Sequence, residues 1–238
     1  MLKIYIFAIG AIFGSFAGLV VERSISGESI VLPGSHCDSC GKSLKFYENI
    51  PILSFIIQGG KCRRCGTKIP PRYFIMEILG GILILLATSC GLSLRAFMVF
   101  LSLLFALIVA LIDLRTMDIY MSYVYVLIGF GIVYRLVFTD FSVRYFKNIG
   151  IFTLLYLLVY FISKKSIGDG DLFFYLALSL FVRDSLFVYF CLISIWLGGI
   201  WGMFLLIKYR DRKMAMPFGI FIFLSFLITS LLEVRFFL

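Results

Sequence analysis

The stretch KKSIGDGDLFFYLALSLFV, residues 164–182, decides how many times this chain crosses a membrane. Two lysines lead into Gly168-Asp169-Gly170-Asp171, and an apolar run of 11 residues, Leu172 to Val182, follows directly. A straight helical crossing takes about 20 residues, so the run is short. The charges around it argue that it crosses nonetheless. Lys164 and Lys165 precede it, while Lys208, Arg210, Arg212 and Lys213 follow the next apolar run, Leu186 to Ile207. Positive residues stay on the cytoplasmic side of a membrane. Both clusters obey that rule only if two crossings separate them.

Composition agrees. Of 238 residues, 62% are hydrophobic and 15% charged, where a soluble domain carries about 25% charged. The expected fold is an all-α polytopic membrane protein. Its eight spans are Ile4–Val21, Tyr73–Ser89, Leu92–Ile112, Ser122–Phe138, Ile149–Ile162, Leu172–Val182, Leu186–Ile207 and Phe218–Leu232. With these spans, 15 basic residues are cytoplasmic and seven external. The chain divides into a first transmembrane helix (1–22), a cytoplasmic four-cysteine domain (23–72) and a transmembrane core (73–238). The net charge of +9 then bears on orientation in a lipid bilayer, with no nucleic-acid partner expected. No small-residue cleavage site follows the first run, so no cleavable signal peptide is expected. Gly10, Gly14, Ser15 and Gly18 fall at helical spacing in that run and predict a face for close helix packing.

There is one histidine, His36, in a polar loop. Ser-His-Asp, Cys-His and HExxH chemistries all need a histidine inside the membrane part of the chain. Any catalytic acid or base is therefore expected to be a carboxylate.

Residues 22–72 hold eight basic residues against four acids, which places them in the cytoplasm. Within them, Cys37-Asp38-Ser39-Cys40-Gly41 and Cys62-Arg63-Arg64-Cys65-Gly66 share one form. Each tight turn lets two thiolates face one metal, and two turns complete a tetrahedral site. Cys37, Cys40, Cys62 and Cys65 are thus expected to hold a structural zinc, with no open position for catalysis. His36 is read as a surface residue, Cys90 and Cys191 as small buried hydrophobes, and the apolar patch Ile50–Ile57 as a small core or a membrane-surface contact.

Asp113 ends one apolar run and Asp171 begins another, with two crossings between them, so both lie at the same membrane face. Intramembrane carboxylates are costly and mark functional sites by default. Two that share a proton make the aspartyl-protease arrangement, in which one activates water and the other polarises the scissile carbonyl. Gly168 and Gly170 would let a peptide backbone approach. Asp118 and Asp169 lie further into polar sequence. The bland alternative is solvated span ends paired with Arg115 or Lys165. A proton- or cation-coupled transporter would place carboxylates at the midplane and show an inverted repeat, which is not visible here. A membrane scaffold acting through the cysteine loop is the third possibility.

Taken together, these motifs resemble type IV prepilin peptidases, the GxGD membrane aspartyl proteases of bacteria. Gly14-Ser15-Phe16 is similar to the family's opening motif, and the paired C-x-x-C loop and Pro71-Arg72-Tyr73…Glu77 are family features. Leu111-Ile112-Asp113 stands in the place of the first catalytic aspartate, and Gly168-Asp169-Gly170-Asp171 in that of GxGD, with Asp171 the second. Tyr120 and Met121 depart from a common Pro-Asp or Pro-Asn, Phe173 from a common Lys, and Gly18 from an Asn. The Gly18 form resembles Gram-positive competence and pilus members. The resemblance implies a multi-pass enzyme of the bacterial cytoplasmic membrane that cleaves the leader of prepilins and pseudopilins at the cytoplasmic face, after a glycine. It also implies N-methylation of the new terminus with S-adenosylmethionine.

Overall fold

The computed structural model describes residues 1–162, 168–209 and 216–237, the last without the side chains of 234–237. Lys164, Lys165, Arg210, Arg212 and Lys213 lie outside the described residues. What is described is helical, with no strand beyond two isolated bridges.

The eight expected spans all appear as helices. They are α1 (Leu2–Ser26), α3 (Pro71–Ala87), α4 (Leu94–Thr116), α5 (Met121–Phe138), α6 (Val143–Ile162), α7 (Asp169–Ser179), α8 (Phe187–Tyr209) and α9 (Gly219–Phe237). Between α1 and α3 lie a 3₁₀ turn, Phe46–Glu48, and a single short helix, α2 (Leu53–Ile57). Among the described residues, α1, α4, α5, α6 and α8 are long and apolar enough to cross a bilayer. The count of eight full crossings is therefore not reached by length. α3 has 17 residues and α7 has 11, and the apolar part of α9 ends at Glu233. Two boundaries moved for local reasons. The Ser142 hydroxyl accepts the Tyr145 N–H (3.0 Å) and starts α6 at Val143, so Arg144 and Lys147 lie on a helix, not in an outer loop. α7 takes in Asp169 and Gly170 and stops at Ser179, short of Val182.

The chain forms two compact units, 1–86 and 87–238. In the first, α1 meets α3 at almost bare backbone. A Cβ on Gly80 would lie 2.3 Å from the Gly10 carbonyl oxygen and 2.6 Å from Gly14 Cα. Small residues are what allow such an approach between helices in lipid. The expected packing face on α1 is present, with Gly80 as its counterpart on α3. Glu77, one helical turn away, pins the unit. Its Oε1 accepts the Ser15 hydroxyl (2.9 Å) and its Oε2 the Ile52 N–H (2.6 Å). Ile52 has φ 66°, a costly conformation for a β-branched residue, and its N–H is held by Glu77. The patch Ile50–Ile57 is not a small core of its own. Phe55 stacks on Phe74 of α3 (4.8 Å), while Leu53, Ile56 and Ile57 are exposed.

In the second unit α4 is the axis, packed on α5 and α9, with α7 against α5 and α8 against α9. Ser93 caps α4 by accepting the Ala96 N–H. α6 is the barest helix, with only Tyr145 buried. Cys191 is buried as expected, but Cys90 is exposed at the α3–α4 turn.

The Gly80→Val variant should lose about 1–3 kcal/mol of stability through overpacking at the α1–α3 contact. Thermal melting of the purified protein in detergent measures it, and an unchanged melting temperature would contradict the close approach.

Candidate active site

Asp113 lies in the last turn of α4 and is buried. A carboxylate in such surroundings needs donors from the protein. One comes from α9, whose first N–H groups have no partner within their own helix. The Gly219 N–H donates to Asp113 Oδ2 at 2.7 Å. This contact requires glycine, because a Cβ at 219 would sit 2.9 Å from Oδ2 and 3.2 Å from Asp113 Cβ.

Asp171 stands in the first turn of α7 and is also buried. Asp113 and Asp171 lie in the same unit, where Gly170, next to Asp171, meets Ile119, six residues beyond Asp113. The motif glycines have distinct parts in this. Gly168 is the N-cap of α7, and a Cβ there would fall 3.1 Å from Asp171 Oδ2. Gly170 faces the α4–α5 turn, where a Cβ would fall 2.9 Å from Ile119 Cβ. Tyr156 of α6 donates its hydroxyl to the Gly168 carbonyl at 2.7 Å, fixing the entry to α7. Asp118 and Asp169 are exposed, as their more polar neighbourhoods predict.

The four loop cysteines form a second site, within the first unit. Their sulfurs all lie within 4.8 Å of one another, with Cys37 and Cys65 at 3.8 Å. Four thiolates around one ion at about 2.3 Å stand about 3.8 Å apart, so the group fits a tetrahedral metal. The two turns repeat each other bond for bond. The Gly41 N–H donates to Cys37 O and the Gly66 N–H to Cys62 O; the Cys37 N–H donates to Lys42 O and the Cys62 N–H to Thr67 O. Both glycines have positive φ, 65° and 71°, a region that costs glycine little. Thr67, 3.3 Å from Cys65 Sγ, draws that thiol down to about 6. Cys40 is pushed up to about 11: the Lys42 N–H favours its thiolate, but burial and the three neighbouring thiols outweigh it. A cation is what allows all four to be thiolates together. His36 is outside the cluster, its Nδ1 2.9 Å from the Gly34 carbonyl oxygen. Glu48 braces the loop. The Lys45 N–H and the Lys42 ammonium hold its carboxyl below the usual range.

Sequence reasoning missed Gly219 and Tyr156. The first contributes only a backbone N–H, and its one sequence signal is its place just after Pro217 at the head of an apolar run. Tyr156 sits in an apolar run with nothing to set it apart from its aromatic neighbours.

Comparison with known proteins gives two family matches. Residues 8–91 match the bacterial peptidase A24 N-terminal domain and residues 98–203 the type IV leader peptidase family. Three relatives, from Myxococcus xanthus, Klebsiella pneumoniae and Bacillus subtilis, are each named prepilin leader peptidase/N-methyltransferase. The first is 41% identical over 83 residues, covering 35% of this chain and 25% of the relative. The second is 36% identical over 121 residues, covering 47% and 52%. The third is 40% identical over 115 residues, covering 47% and 46%. The chain thus spans about half the length, or less, of the curated relatives it matches. No solved structure gives a significant match.

Replacing Gly219 by Val should drive a side chain into Asp113 and cost about 1–3 kcal/mol of stability. A melting temperature equal to that of the parent protein would show that α9 does not seat Asp113 as described.

Proposed function

The chain belongs to the type IV leader peptidase family, and from that premise we propose that it is a membrane aspartyl endopeptidase acting on type IV prepilins and pseudopilins. The observation that carries this reading is that Asp113 and Asp171, each at the end of a different helix of one unit, are both buried. Two such groups do not both ionise readily, so they share a proton. The ionised member takes a proton from water as that water attacks the leader's scissile carbonyl. The protonated member donates to the carbonyl oxygen, stabilising the tetrahedral intermediate, and the proton then passes to the leaving amine. Gly168 leaves room beside Asp171 for the extended backbone of the substrate, while Gly170 lets the head of α7 approach Ile119. The relatives' names include an N-methyltransferase activity, and we extend that activity to this chain, with S-adenosylmethionine as methyl donor.

The enzyme is placed in the bacterial cytoplasmic membrane as a multi-pass protein, with the first helix at 1–22, the four-cysteine domain at 23–72 and the peptidase core at 73–238. The carboxylate pair is assigned to the cytoplasmic face, where the leader of a precursor is found. The basic excess of residues 22–72 favours the cytoplasm for the cysteine loop. Zinc is the metal proposed for Cys37, Cys40, Cys62 and Cys65, in a structural role, because four thiolates leave no coordination position open. Both acids stand at helix ends, which favours peptidase chemistry over a transporter with midplane carboxylates.

Co-expression with a prepilin tests the reading. Asp113→Ala and Asp171→Ala should each lower leader cleavage on the order of a thousandfold or more, and processing by either at the parent rate sinks the proposal. Mass spectrometry of the mature N-terminus reports cleavage and methylation in the same spectrum. Metal analysis of the purified protein should return about one zinc per chain. Acidification should release it as the thiolates protonate. Zinc that persists after all four cysteines become serine would refute the assignment.

A further inference from the structure

α7 is too short to cross a bilayer, and this creates a problem at its far end. Eleven residues rise about 16 Å of the roughly 30 Å hydrocarbon core. The last carbonyls of a helix have no partner within it. In lipid they must find one inside the protein. The chain after α7 does turn inward: Leu180, Phe181, Val182 and Leu186 are all buried.

The turn itself supplies some donors, the Phe181 N–H to Leu178 O (3.0 Å) and the Val182 N–H to Ser179 O (3.3 Å), and a side-chain donor comes from Arg135 of α5, which is 1% exposed. Its Nη1 donates to the carbonyl oxygens of Ser179 and Val182, both at 3.4 Å. A guanidinium at a helix C-terminus also suits the negative end of the helix dipole. Nε of this guanidinium is buried without a hydrogen-bond partner among the described residues, and other contacts hold the group. Its Nη2 bonds Asp184, and its centre lies 3.5 Å from the Tyr145 ring centroid. Asp184 is in turn gripped by the Ser142 hydroxyl, and its own carbonyl accepts the Asn148 amide at 3.0 Å. At the near end of α7 the only comparable hold is Tyr156 on Gly168, among the described residues.

We propose that Arg135 is a positioning residue: by clamping the C-terminal end of α7 it sets the depth of that helix, and thereby the place of Asp171 beside Asp113. It touches neither carboxylate and acts through the length of α7. The inference rests on the reading of Asp171 as one of the catalytic pair.

The test compares two double variants of the full chain with the parent, using a prepilin as substrate. Arg135→Leu with Asp184→Leu removes both charges together, so no lone charge is left buried, but the Ser179 and Val182 carbonyls lose their side-chain donor and the tie to α5. Its kcat should fall about tenfold or more, with KM within about twofold. Arg135→Gln with Asp184→Asn keeps an amide donor for the carbonyls and should stay within about threefold of the parent kcat. An apolar pair with parent kcat, or a Gln/Asn pair as impaired as the apolar one, overturns the proposal. Should the apolar pair fail to fold, Arg135→Lys replaces it. A lysine keeps the charge for Asp184 but lacks the planar fork that reaches two carbonyls as well, and the same split is expected. A second readout does not depend on cleavage. With Asp171→Cys, the rate of labelling by a water-soluble maleimide, read by mass spectrometry of the labelled peptide, should change about threefold or more when the Leu pair is added. Failure of the parent protein to cleave prepilin would count against the peptidase alone. An unchanged labelling rate would count against the role of Arg135.

Discussion

A hydrocarbon slab offers no hydrogen-bond donors, so a carboxylate placed in it must find its partners on the protein. Asp113 finds one in the first N–H of α9. Much of the second unit answers the same demand. Ser194 returns its hydroxyl to the carbonyls of Phe190 and Cys191, Ser225 crosses from α9 to Phe190 of α8, and Thr229 bonds back to Ser225. Arg95 reaches Glu233 and the Tyr134 hydroxyl. Polar side chains are few, and where they occur among these helices they meet backbone or one another. Asp171, also buried, is a second carboxylate of the same unit under this constraint.

The helices were legible because each is an apolar run bounded by charge or by glycine. The cysteine site was legible because spacing alone brings two thiols to one side of a turn. Asp113 and Asp171 stood out because each is an acid at the edge of an apolar run, and the structure buries both. Other features left no such trace. Arg135 lies three residues from the end of α5 and reads as an ordinary terminal charge; its partner Asp184 is 49 residues further on. Gly219 acts through a backbone group that every residue but proline possesses, and what sets it apart is the space around it. The brevity of α7 was visible, but its consequence was not, because the side chain that ties down its end belongs to another helix.

Glu77 shows the same limit from the other side. Its place after Pro71-Arg72-Tyr73 marks it in the sequence, yet its work depends on contacts far along the chain. One oxygen holds Ser15 of α1 and the other the strained Ile52. With both oxygens taken, Glu77 is a peg between the first helix and the head of α2 and not a free acid. Within the first unit this fixes the polar segment to the helices that carry it, while the two cysteine turns hold themselves together through matching backbone bonds.

The separation of Arg135 from Asp184 bears on how the protein is made. At about 5–20 residues per second, 49 residues take roughly 2–10 s to synthesise. For that interval α5 holds a guanidinium whose counter-ion does not yet exist. The interface is the only place where water can serve it, and a side chain near a helix end can reach that far. Only after the turn beyond α7 has been translated can Arg135 leave water for the protein interior. Insertion of α5 and completion of the core are thus separate events in biogenesis, and the second waits on a single carboxylate.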